Sequence, residues 1–129
     1  SNAIYLEDSG AVVEGLKFYG SPWTNSCHMV SFTPPGFSCR GDKLKEMWAK
    51  IPAGVDILLT HMPPYKMLDL AYAHWGSWDL MDRVEELAPK VHIFGHVHNS
   101  HGTRRNGRTV FINAAQDLHV QPIFFDVWI

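Results

Sequence analysis

The chain has 129 residues, 46% hydrophobic and 19% charged, with a formal net charge of -2 when its eight histidines are neutral. That length allows one domain, and the charge gives no electrostatic reason to expect a nucleic-acid polymer or a membrane surface as partner. No apolar run approaches the roughly 20 residues of a membrane span, and two cysteines, Cys27 and Cys39, do not make a disulfide framework. Reduced thiols and a cytoplasmic location are the expectation.

Ser1-Asn2-Ala3 resembles the scar of a cleaved affinity tag and is set apart from the fold, so the native chain is expected to continue upstream of Ile4. Ile4 to Glu7 reads as a short extended segment, turned by Asp8-Ser9-Gly10. Ala11 to Glu14 and Leu16 to Tyr19 read as a hairpin around Gly15. Residues 21–39 carry Pro22, Pro34, Pro35 and Gly36 without a period and read as a long loop. Asp42 is expected to cap a helix whose Leu44, Met47, Trp48 and Ile51 form an apolar stripe of helical period, stopped by Pro52 and Gly54. At that spacing Trp48 reads as core.

Val55 to Thr60 is predicted as a buried strand. Residues 63–75 are irregular. Ser77 can cap a second helix with Leu80, Met81, Val84 and Leu87 on its inner face, ended by Pro89. Val91 to Phe94 is the next strand. Strand–helix–strand makes a βαβ unit with parallel strands. Asn106-Gly107 signals a hairpin leading into Thr109 to Asn113, and Ile123 to Trp128 is predicted as the last strand.

Two of these strands end in histidine. Val55 to Thr60 runs into His61-Met62-Pro63-Pro64, and Val91 to Phe94 into Gly95-His96-Val97-His98. If the backbone stays extended past Gly95, His96 and His98 point to one side. Parallel neighbours share a carboxyl edge, so His61 is placed near His96 and His98. Neutral imidazole is a common ligand for zinc-like metals.

T-H-x-P-P followed by F-G-H-x-H, with Tyr19-Gly20-Ser21-Pro22-Trp23 and Asn113-Ala114-Ala115, resembles the C-terminal half of the calcineurin-like metallophosphoesterases, in the metallophosphoesterase-domain-containing branch. The resemblance covers Tyr5 to the C-terminus. It implies an α/β fold, a β-sandwich of two mixed sheets flanked by helices, of which residues 4–129 are a part. It implies a dinuclear site of two divalent ions of the Mn, Fe or Zn type, with His61 and His96 on one ion and His98 on the other, and hydrolysis of a phosphodiester or phosphomonoester. Asn99 and His101 would shape the substrate-binding rim. His74 could reach a substrate phosphate. Met62 would narrow the space beside the metals.

The family's remaining ligand motifs, D-x-H, G-D-x-x-D and G-N-H, belong to the other half. Gly41-Asp42 lacks the second aspartate, and Asp117-Leu118-His119 fits D-x-H but follows the G-H-x-H motif instead of preceding it. The chain alone is therefore expected to bind metal weakly and to lack robust activity. The partners expected are a phosphate-ester substrate, the missing N-terminal half, and a second copy through exposed edges. The rival readings are a non-catalytic remnant acting as an association module and a mononuclear histidine–metal module. His92, inside a strand, is expected to be satisfied by a neighbour. Arg104, Arg105 and Arg108 are expected to be solvated.

Overall fold

A computed structural model describes residues 2–25 and 36–129. The readings of Cys27, His28 and Pro34-Pro35 lie outside the described residues. Strands β1 (Ser9–Val13) and β2 (Leu16–Ser21) form the expected antiparallel hairpin around Glu14-Gly15, both with positive φ. The two-residue strands β3 (Thr24–Asn25) and β4 (Ser38–Cys39) pair in parallel. They are followed by α1 (Gly41–Ala49), β5 (Ile57–Thr60), α2 (Trp78–Leu87) and β6 (Val91–Phe94). After a 3-10 turn at His98–Ser100 come β7 (Gly102–Asn106) and β8 (Thr109–Asn113).

Six strands form one mixed sheet in the order β1-β2-β5-β6-β8-β7. The inner four are parallel, and the two hairpins add an antiparallel strand at each edge. Alternation along the strands separates two faces. Tyr19, Leu58, Phe94 and Phe111 pack with Leu44, Trp48, Leu80 and Val84 from the helices. Ile57, Val91 and Ile112 face the other way, where Ile123 and Val127 from the C-terminal segment lie against them. The predicted α/β architecture is present as one sheet layer with its helices on one face. Besides it, the described residues hold only the two-stranded pair β3-β4, so the expected sandwich of two mixed sheets is not formed by these residues.

Four local expectations are corrected or settled. Asp42 is not the cap of α1. Arg40 occupies the N-cap position without a side-chain bond, and Asp42 lies in the first turn, where its charge suits the exposed N–H groups. Ser77 does cap α2, its hydroxyl accepting from Leu80 N. Ile123 to Trp128 is not a strand. Its alternating apolar residues meet the sheet face, not the edge of another strand, so no ladder forms. Trp48 is core, 1% exposed, with its indole N–H on Ser77 Oγ. Among the described residues no helix is long and apolar enough to cross a membrane.

Candidate functional site

The parallel strands β2, β5, β6 and β8 end in register, Ser21 opposite Thr60 and Phe94 opposite Asn113. The residues just past those ends therefore share one edge. His61 follows β5 directly and His96 lies two residues beyond the end of β6. Their rings meet: His61 Nε2 lies 3.1 Å from His96 Nδ1, with ring centroids 4.9 Å apart. Gly95 N–H donates to the His61 carbonyl at 3.1 Å, locking the two turns together.

The backbone does not stay extended past Gly95. Val97 N–H turns back onto the Gly95 carbonyl at 2.8 Å, and His96 at the centre has φ +69. An i to i+2 turn with a left-handed, non-glycine centre is rare and strained. This is how His96 is swung toward His61. His98 instead begins the 3-10 turn and is exposed. It stands close enough for its charge to disfavour a proton on His96.

Both paired histidines are held below their ordinary pKa. His61 is lowered by partial burial. His96 is lowered first by partial burial, then by the charges of His61 and His98. Two neutral imidazoles 3.1 Å apart share one proton along the contact, an N–H of one ring entering the lone pair of the other. Moving that proton to the far nitrogen of its own ring would turn both facing nitrogens into lone pairs for another electrophile. Among the described residues, however, no three histidine, cysteine, aspartate or glutamate side chains are gathered closely enough to hold a metal. The structure brings His61 and His96 together and leaves His98 beside them.

The other predicted residues have different surroundings. Asn99 is exposed in the 3-10 turn. His101 is half-buried and donates Nδ1–H to the Ala115 carbonyl at 2.8 Å, which fixes its tautomer. His74 pairs with Asp69, Nδ1 to Oδ1 2.7 Å. Asp69 is 1% exposed, and its second oxygen accepts from Lys66 N and Gly76 N. This carboxylate orients the imidazole and leaves Nε2 as its outward nitrogen. A Cβ on Gly76 would overlap the Pro64 carbonyl, so the loop closes only with glycine there. Asp117 and His119 are exposed, and Asp117 Oδ1 accepts from the adjacent Leu118 N. Met62 does not narrow the site. It is 2% exposed and belongs to the helix-side core. Arg104, Arg105 and Arg108 are exposed as expected, with Arg108 Nε donating to Ala88 O.

Sequence reasoning did not assign a role to the residue that organises this edge. Asn113 is fully buried, and its amide donates to Val97 O at 2.8 Å and Leu68 O at 2.9 Å while Oδ1 accepts from Ala115 N at 2.9 Å. One side chain thus fastens the histidine turn, the loop carrying Asp69 and His74, and the chain after β8. Ser100 Oγ adds a bond to Leu70 O. A cleft of about 270 Å³ opens beside His61, between the Ile4–Leu6 segment and Ser21-Pro22.

No family model matches the chain. Curated relatives do. A UPF0046 protein of Caenorhabditis elegans is 40% identical over 98% of this chain and 48% of its own length. The human metallophosphoesterase domain-containing protein 1 is 38% identical over 95% of this chain and 38% of its own length. The chain is homologous to part of the metallophosphoesterase-domain-containing proteins. It spans about half, or less, of the length of these relatives. Solved structures agree on the fold. One crystal structure superposes with a TM-score of 0.63 at 18% identity, covering 86% of this chain and 45% of its own. A protein of Thermus thermophilus, TT1561, gives a TM-score of 0.51 at 12% identity, covering 85% and 48%.

Proposed function

We propose that this chain is the histidine-bearing part of a metal-dependent phosphoesterase, with His61 and His96 as two ligands of one divalent ion. The observation that carries the reading is the contact between His61 Nε2 and His96 Nδ1 at 3.1 Å, on the shared carboxyl edge of parallel strands. Nitrogens at that separation can both lie about 2.0–2.1 Å from one ion. His98, exposed beside them, is the ligand left for a second ion. The donor set fits as a fragment. Two ions close together need bridging carboxylates, and none is gathered here among the described residues.

Divalent ions, when bound, would supply Lewis acidity toward a phosphoryl oxygen of a phosphodiester or phosphomonoester. The chain's own part is narrower. Neutral His61 and His96 present lone pairs. His74, held through Nδ1 by Asp69, offers Nε2 to a phosphate oxygen. Asn99 and His101 border the turn. The carboxylate ligands would come from the portion of the relatives that this chain does not span, so the chain by itself should bind metal weakly and turn over little.

An association role has its own support. Phe124, Trp128 and Ile129 are 91%, 86% and 85% exposed, an apolar concentration that favours contact with another chain or a second copy. One experiment serves both readings. The chain is dialysed with manganese, bound metal is counted, bis(p-nitrophenyl) phosphate is assayed, and sedimentation gives the mass. Low metal content, negligible turnover and a concentration-dependent rise in mass are expected. Two tightly held ions with turnover abolished by His61→Ala would overturn the partial-site reading. A strictly monomeric chain at high concentration would remove the association reading.

A further inference from the structure

His92 sits in a place where a hydrocarbon would pack better. It is 0% exposed, on the helix-side face of β6, with its ring edge-on to Phe94 at 5.0 Å and Phe111 at 5.7 Å. Its Nδ1 is buried without a hydrogen-bond partner. A buried polar atom left unpaired is destabilising and calls for an explanation. Its other nitrogen gives one. Nε2 lies 2.8 Å from Thr60 Oγ1, and the Thr60 hydroxyl donates to the Met62 carbonyl at 2.8 Å. A hydroxyl has a single proton. Since Thr60 gives it to Met62 O, the contact with His92 must be an Nε2–H donated to Oγ1. That fixes the tautomer and explains why Nδ1 is a bare lone pair.

The chain of bonds runs His92 to Thr60 to Met62, and the residue between its last two members is His61. On the other side, the His61 carbonyl is held by Gly95 N–H. The backbone of His61 is therefore gripped from both flanks by groups on β6 and its extension. β6 also leads into His96. A register between β5 and β6 fixes where the strands lie, but not the turn past Thr60, where the ladder has ended.

We propose that His92 is a positioning residue, which through Thr60 sets the His61 turn so that Nε2 meets His96. The proposal rests on the metal-ligand reading for its consequence, but not for its geometry. His92 touches neither metal nor substrate; it acts through Thr60.

The test uses the full chain with cobalt(II) as probe, read by its visible absorption, and amide exchange at Gly95 as a metal-free readout. The variants are His92→Phe, His92→Gln and Thr60→Val, with His61→Ala as the ligand control. His92→Phe and Thr60→Val should weaken cobalt binding about 10- to 100-fold, the range for residues that orient ligands. They should also speed Gly95 exchange markedly relative to that of Leu58 in β5. His92→Gln keeps a donor near the Nε2 position and should restore both readouts toward wild type. His92→Phe should not lose thermal stability, because it removes the unpaired nitrogen, so a binding defect there cannot be ascribed to unfolding. Wild-type cobalt binding and wild-type Gly95 exchange in His92→Phe and Thr60→Val would overturn the proposal. If wild type itself binds no cobalt, the metal reading fails, and Gly95 exchange alone decides whether His92 positions the turn.

Discussion

Gly95-His96-Val97-His98 and Asp117-Leu118-His119 each put two potential ligands two residues apart, yet only the first is built into the fold. The first turn is fastened by Asn113 at Val97, by Gly95 to His61, and by its own left-handed centre at His96. The second is exposed, with its carboxylate spent on the next backbone N–H. Spacing alone therefore says little about a site. What separates the two is whether buried groups elsewhere in the chain hold the backbone that carries them.

The two turns should differ most in their dependence on Asn113. Asn113→Ala leaves the buried Val97 carbonyl, the partly buried Leu68 carbonyl and the Ala115 N–H without their partner, and should destabilise the chain by roughly 3 kcal/mol. Asp117→Ala, by contrast, should stay within about 0.5 kcal/mol. Urea unfolding of both variants measures the gap, and equal losses would mean the two turns are equally embedded.

A second prediction concerns pH. Burial pushes the His92 pKa from 6.5 down to about 3. The folded value is depressed for a group that charges on protonation, so the unfolded chain binds the proton first as pH falls. The neutral ring's full contribution is present above about pH 6.5 and is lost progressively toward pH 3. The loss is on the order of several kcal/mol at the acid end. His92→Phe should flatten that part of the stability profile, whereas His119→Phe, in the exposed turn, should leave it unchanged. An unaltered slope in His92→Phe would place the acid sensitivity elsewhere.

Much of this edge was legible in the sequence. Apolar runs of strand length, each running into a histidine, and a helical stripe between them made a βαβ unit, and parallel strands put His61 beside His96. Periodicity also separated the core positions Leu44, Trp48, Leu80 and Val84. The failures have physical causes. Nothing local marks His96 for a left-handed turn, since glycine and asparagine, the usual occupants, are absent there. Ile123 to Trp128 alternates like a strand, but alternation reports a face that meets apolar surface and not a ladder partner. The groups that hold the site act across long separations: Asn113 reaches Leu68 over 45 residues and His92 reaches Thr60 over 32. Pattern reading within one segment has no access to such bonds.

Zinc calorimetry on the wild-type chain and on His61→Ala, His96→Ala and His119→Ala decides whether the paired histidines hold the metal. Weak binding is expected in the wild type, lost in His61→Ala and in His96→Ala and retained in His119→Ala. Binding that survives the loss of either paired histidine, or that vanishes with His119, would contradict this expectation.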